Sequence, residues 1–255
     1  MPENMDSELV SIITPAYRVA SIIDHTIASV VGQTYSNWEL LIAEDCSPDN
    51  TAEIVAIAAA KDSRIRLLQC KKNGGPAAAR NLALSQAKGR WIAFLDSDDL
   101  WLPTKLEETI GFARSRQSAL TFTGYRRISH DGQKVGEFKS VPPTVGYSQL
   151  LGNTAIATST VLIDRMQTGD VTMKAVYYDD FACWLEILKK GFLAHGLNSD
   201  LMRYRVVKNS VSRNKWKSAK EVWQAYRKVE GLNIVKSLWF FSSYSWNAYF
   251  KYRKF

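Results

Sequence analysis

From residue 9 to residue 100, short β-branched apolar runs alternate with amphipathic stretches, which is the pattern of βαβ units joined into a mainly parallel sheet. Leu9 to Thr14 reads as a first strand closed by Pro15, and a helix follows over about 20–32, with Ile22, Ile23, Ile27, Val30 and Val31 on its inner face. Trp38 to Ala43 is a second strand. The turn Ser47 to Thr51 carries capping residues for a helix over Ala52 to Ala60. Ile65 to Gln69 is a third strand, and Asn73-Gly74-Gly75-Pro76 is a tight turn whose proline suits the first position of a helix over 77–87. A fourth apolar strand, Trp91 to Leu95, ends abruptly in Asp96-Ser97-Asp98-Asp99. Each loop after these strands falls on one edge of the sheet, the edge where open α/β sheets bind ligands.

Further along, the pattern predicts a helix over 105–114, a strand over 119–128, a hairpin turn at 130–133 and a strand over 158–163. An amphipathic helix over 180–190 is opened by acids, and a last strand covers 202–207. From 218 onward the sequence reads as two helices broken near Gly231, with aromatic residues where leucines would be usual. This divides the chain into an α/β domain over 1–215 and a helical extension over 216–255.

Composition narrows the class. With 46% apolar residues, 11% aromatics and 255 residues, the chain is globular and large enough for a full core. Its net charge of +8 is unevenly spread: from Leu201 onward thirteen Lys/Arg face two acids, Glu221 and Glu230, so the basic surface is C-terminal. The acidic, polar start is unlike a signal peptide, and no apolar run reaches the ~18 residues of a membrane span, which places the protein in the cytoplasm. Cys46, Cys70 and Cys183 are odd in number and far apart, so they read as free structural thiols.

The acidic cluster carries the chemistry. A buried strand that delivers three carboxylates at its end makes a concentrated negative site, and a divalent cation holding phosphates neutralises such a site well. Four patches then resemble the family 2 glycosyltransferases, inverting enzymes with the GT-A, Rossmann-like fold. They are Val10 to Tyr17, Glu44 to Thr51, Asn73 to Asn81, and Phe94 to Asp99, in the family's order and spacing.

The resemblance implies roles. Asp45 matches the acid that binds the donor's base, Pro15 and Tyr17 flank base and ribose, and Arg80 matches an arginine that contacts the nucleotide. Asp96, with Ser97 beside it, faces the ribose and the metal shell, while Asp98 ligates Mg²⁺ or Mn²⁺. Asp179 and Asp180 match the acidic pair that opens an acceptor-side helix, with Asp180 as general base; Asp179 is shorter than the usual glutamate. Where many relatives have a histidine after the last strand, this chain has Val207, which leaves Lys208, Arg205 or Arg213 to meet the leaving diphosphate. His25, His130 and His195 match no motif position.

The implied activity is transfer of a sugar from a nucleotide-sugar donor, of the UDP type, to a glycan or polyprenyl-diphosphate-linked acceptor in bacterial surface-polysaccharide synthesis. The tail mixes aromatics with cations, as a membrane interface requires, and the competing reading is that these aromatics pack onto the catalytic domain or form a homodimer contact. No base-reading motif accompanies the charge, so nucleic acid is excluded. A metal-dependent phosphatase would want Thr or Val where Leu100 stands. An inactive nucleotide-sugar or membrane-binding module would need a missing base or metal ligand, and both are present.

Overall fold

The structure, a computed structural model, describes residues 6–153, 155–206 and 215–252. In chain order the first half reads β1 (Asp6–Ala16), α1 (Ile23–Val31), β2 (Trp38–Glu44), α2 (Thr51–Lys61), β3 (Ile65–Gln69), α3 (Gly75–Leu84) and β4 (Gly89–Phe94). Then follow β5 (Leu100–Trp101), α4 (Lys105–Arg116), β6 (Leu120–Ile128), β7 (Val135–Lys139), β8 (Thr144–Val145) and α5 (Tyr147–Leu151). The remainder is β9 (Leu162–Asp164), α6 (Arg165–Thr168), α7 (Asp179–Lys189), β10 (Ala194–Arg205), α8 (Lys215–Gln224), a π-helical turn (Ala225–Val229) and α9 (Ile234–Tyr252).

One sheet runs in the order β3-β2-β1-β4-β9-β6-β10-β5, with β7 added to β6 and β8 to β10. The β3-β2-β1-β4 half is parallel throughout, as the βαβ pattern predicts. The other half is mixed, because β9 enters between β4 and β6 and runs against both. Arg90 on β4 holds that insertion in place with a two-pronged pair to Asp164, Nε to Oδ1 at 2.9 Å and Nη2 to Oδ2 at 2.7 Å.

Alternation along the strands separates two apolar layers. Trp91 and Ala93 of β4 join Ile23 and Ile27 of α1, Val55 of α2 and Leu106 of α4 on one face. Ile92 and Phe94 join Ala79 and Ala83 of α3 and Trp184 and Leu188 of α7 on the other. All seven residues of β2 are buried. Val222 and Tyr226 belong to the second layer, so the C-terminal segment packs onto the α/β fold at its near end. The Tyr226 hydroxyl donates to the Leu151 carbonyl.

Several expectations change. The helix expected over about 20–32 starts only at Ile23, since Ser47, Thr51 and Asp49 side chains accept the N–H groups of Arg18, Val19 and Ala20 and keep that stretch in a loop. The strand expected over 158–163 opens instead as a 3-10 turn, Thr158–Thr160, and β9 is short. The hydroxyls of Thr158 and Ser159 are drawn to carboxylates, and Thr160 N–H closes on Ala157 O at 3.0 Å. The last strand begins at Ala194, well before the expected 202, because His195, Asn198 and Asp200 obscure its period; its pairing with β6 shifts register on both sides of Asp200. The expected hairpin at 130–133 and the break at Gly231, where φ is 64°, are both present.

Candidate active site

Three loops meet at the carboxyl edge of the parallel strands. After β2, Asp45 is buried and its two carboxylate oxygens accept the backbone N–H groups of Gly74 at 2.9 Å and Gly75 at 2.8 Å. These are the orphan donors at the start of α3, so Asp45 caps a helix that is not its own. Gly75 has φ 79°, a conformation that favours glycine, and the turn therefore presents both amides to one side chain. Asp49, not Asp45, serves Thr51, accepting from its hydroxyl at 2.6 Å. Pro15 lies near the end of β1 opposite Ala43, and Tyr17 just beyond it is exposed, with the Arg18 guanidinium 5.1 Å from its ring centre.

Arg80 rides on α3. It is only 6% exposed, yet it forks between two acids from distant parts of the chain: Nη2 to Asp96 Oδ1 at 2.6 Å and Nη1 to Asp179 Oδ2 at 2.7 Å. Burial alone would lower the Arg80 pKa, but the charges of Asp96 and Asp179 outweigh it and hold the guanidinium above its ordinary value. Burial pushes the Asp179 carboxyl upward while Arg80 pulls it down, and the net shift remains upward.

The loop after β4 is fixed from several sides. The Asp96 N–H donates to Ser159 Oγ at 3.0 Å, and the same Ser159 hydroxyl donates to Asp99 Oδ2 at 2.6 Å. Thr26 on α1 donates to the carbonyls of Ser97 and Asp99 at 2.9 and 3.0 Å. Asp99 also accepts the Arg205 N–H at 2.9 Å, and burial, with the charges of Asp98 and Asp96, raises its carboxyl well above the usual range. Asp98 is different. No side chain among the described residues donates to its carboxylate, and burial, aided by the charge of Asp96, pushes it up to about 6.

That pattern fits a divalent cation. A half-buried hard-oxygen donor beside a second carboxylate is electrostatically short of positive charge. Among the described residues no three His, Cys, Asp or Glu side chains converge as a self-contained cage. Asp98 with Asp96 thus suits an ion that draws most of its oxygens from phosphate and water.

Asp179 and Asp180 open α7. Asp179 is buried on Arg80, whereas Asp180 is half-buried and accepts the Thr158 hydroxyl at 2.5 Å. Thr158 and Ser159 are neighbours in one turn, so the pair Asp96/Asp99 and the pair Asp179/Asp180 are linked twice: through Arg80 and through this turn.

Residues 11–163 match the sequence profile described as glycosyl transferase family 2. The chain belongs to that family. Membership in glycosyl transferase family 2 makes it a glycosyltransferase. It is 44% identical over 241 residues to the "Putative teichuronic acid biosynthesis glycosyltransferase TuaG" of Bacillus subtilis (strain 168), covering 94% of this chain and 96% of the relative. It is 39% identical over 221 residues to the "UDP-Glc:alpha-D-GlcNAc-diphosphoundecaprenol beta-1,3-glucosyltransferase WfgD" of Escherichia coli, covering 86% and 85% of the two chains. In structure it resembles S. aureus TarS 1–349 in complex with UDP-GlcNAc, with TM-score 0.67 and 19% identity over 95% of this chain and 73% of that one. The mannosyltransferase PcManGT from Pyrobaculum calidifontis, in complex with GDP-Man and Mn2+, gives TM-score 0.69 and 17% identity over 93% and 73%. These two likenesses establish the GT-A type of fold.

Within this family 2 chain, sequence reasoning missed Thr158, Ser159 and the structural use of Asp99. The signal was three hydroxyl residues in a row, Thr158-Ser159-Thr160, at the head of an apolar run. Arg205, expected at a leaving diphosphate, is 3% exposed and donates through Nε to Asp98 O at 2.9 Å and through Nη1 to His130 O at 2.6 Å. Val207, Lys208 and Arg213 lie outside the described residues. The three cysteines are free, but Cys46 is exposed, so it is not a core residue. His195 meets Ser118 Oγ at 3.0 Å, away from the acids.

Proposed function

We propose that the protein transfers a hexosyl group, with inversion, from a UDP-sugar to a hydroxyl of a lipid-diphosphate-linked glycan in bacterial surface-polysaccharide synthesis, working at the inner face of the cytoplasmic membrane. The names carried by its relatives support the donor and acceptor classes. The observation that carries the reading is Arg80 joining Asp96 to Asp179: it brings the acids matched to the donor and those matched to the acceptor into one buried unit.

In this reading Asp45, Pro15 and Tyr17 flank the base, and Arg80, Asp96 and Ser97 border ribose and diphosphate. Asp98 with Asp96 would hold Mg²⁺ or Mn²⁺, which supplies charge stabilisation to a departing diphosphate. Asp180 removes the proton of the acceptor hydroxyl as its oxygen bonds to the anomeric carbon from the face opposite the leaving oxygen. The electron pair of the broken bond leaves with the nucleoside diphosphate. Asp179 stays on Arg80 and keeps the start of α7 in place.

The test is release of UDP from UDP-glucose in the presence of a synthetic GlcNAc-diphospho-lipid and Mn²⁺. Asp180→Asn and Asp98→Ala should each lower turnover by ~10²-fold or more. Near-normal turnover in either variant would remove that residue's assigned role, and chelation of the metal without effect would remove the cation.

A further inference from the structure

Among the described residues, the face of α9 turned away from the α/β fold is apolar and carries no charge. Ser237, Phe240, Phe241 and Tyr244 lie on the inward side, buried or half-buried, and Ser243 and Asn247 donate to Gly152 O at 3.2 and 2.7 Å. On the outward side Val235 is 72% exposed, Trp239 73% and Trp246 67%, with Ile234 and Leu238 beside them at 58% and 57%. Helical spacing gathers these five onto one stripe, with only Ser242 and Ser245 between them. Large apolar side chains exposed to this extent on one helix face mark an interaction surface.

Charge decides which partner. Over 215–255 the chain has nine Lys/Arg against Glu221 and Glu230, and Glu230 is already held by the Tyr147 hydroxyl at 2.6 Å and Lys189 Nζ at 3.2 Å. Lys220 on α8, Arg227 and Lys228 in the π-helical turn and Lys236 on α9 itself are exposed in the same C-terminal segment. A second copy docking here would bring two strongly basic segments together, which is repulsive, whereas an anionic surface meets both the apolar face and its cationic border. Tryptophans that reach outward from a helix bordered by lysines suit the headgroup level of a bilayer. A groove of about 400 Å³ lies beside the stripe, lined by Tyr147, Leu151, Leu232, Val235, Trp239 and Phe240 with Lys236 among them. The helix does not span: among the described residues none is long and apolar enough to cross a membrane.

We infer that the outward face of α9 lies in the surface of an anionic phospholipid bilayer, with Trp239 and Trp246 at headgroup depth and the surrounding lysines and arginines on the lipid phosphates. α5, which forms one wall of the groove, packs against both α9 and α7, the helix that begins with Asp179 and Asp180. The bilayer contact is therefore one helix removed from those acids.

Flotation of the full chain with vesicles tests this independently of transfer chemistry. The protein should float with phosphatidylglycerol/phosphatidylethanolamine vesicles, float at least tenfold less with phosphatidylcholine alone, and detach as salt is raised. Trp239→Glu with Trp246→Glu, both at exposed positions, should reduce flotation at least tenfold while UDP binding measured by calorimetry is unchanged. Wild-type protein that stays below the anionic vesicles overturns the inference. So does a double variant that floats normally, or one whose sole effect is to turn a dimer into a monomer in sedimentation. Loss of UDP binding in the wild type would instead strike at the proposed function and leave this surface standing.

Discussion

Arg80 Nη1 lies 2.7 Å from Asp179 Oδ2, a buried ion pair that spans 99 residues of sequence and ties α3 to the start of α7. Arg80→Met leaves Asp96 and Asp179 without their cation in a buried setting. Removing one partner of a buried pair costs on the order of 3–5 kcal/mol, so a urea melt should show a loss of that size, accompanied by loss of UDP-sugar binding. Arg80→Lys retains the charge but not the planar fork, and one of the two acids should stay unpaired. Full stability in Arg80→Met would mean that the acids find other partners.

Thr158→Val removes the hydroxyl that donates to Asp180 while keeping the side chain's volume. Turnover should fall by roughly tenfold with the donor KM little changed, because the acid loses its orientation and the nucleotide side is untouched. Thr158→Ser should restore most of the rate. A variant that changes donor KM and leaves kcat alone would show that Thr158 serves the nucleotide side.

Asp45→Asn can accept through one oxygen, so either Gly74 or Gly75 N–H loses its partner. A loss of about 1–3 kcal/mol is expected from the orphaned donor. Uridine-nucleotide affinity should fall at least tenfold. Loss of stability with unchanged affinity would confine Asp45 to capping α3.

Lys105 gives the expected pH dependence of stability. It is fully buried in the first turn of α4, its Nζ has no hydrogen-bond partner, and it stands 4.1 Å over the Trp101 ring. Burial lowers its pKa from 10.5 to about 7. Between those values the unfolded chain binds the proton and the folded chain does not, so stability gains up to ~1.4 kcal/mol per pH unit from this group as pH rises, and below about pH 7 the penalty is complete. Lys105→Met should therefore be stabilising near pH 7, with the advantage shrinking towards pH 10 in denaturant titrations. A constant difference across that range would show that the ring and its surroundings accommodate the charge.

The parallel half of the fold was legible because its inner strands are buried on both faces and carry continuous apolar runs, as in Leu40–Ala43 and Trp91–Phe94. The motif residues at its edge were legible for the same reason: each follows a strand whose end was plain. The antiparallel half was harder. β9 has three residues and β5 two, too short for any period, and β10 hides its alternation behind His195, Asn198 and Asp200. At the site, the acids were readable from the motifs, but the contacts that hold them were not. Asp99 had no role beside Asp96 and Asp98 in the sequence, and its partners, Ser159 and the Arg205 amide, show it bracing the loop. The tail's aromatics also divide by geometry, since Tyr226 is wholly buried and Trp239 largely exposed.

Ser159 has a consequence for how ligands are received. One hydroxyl accepts from the first aspartate's amide and donates to the last aspartate's carboxylate, while its carbonyl takes the Trp101 indole N–H at 2.8 Å. The acidic loop is thus braced at both ends by groups that belong to the scaffold. The three carboxylates are kept at their stations by folding itself, so a cation held there would lose little affinity to ordering them.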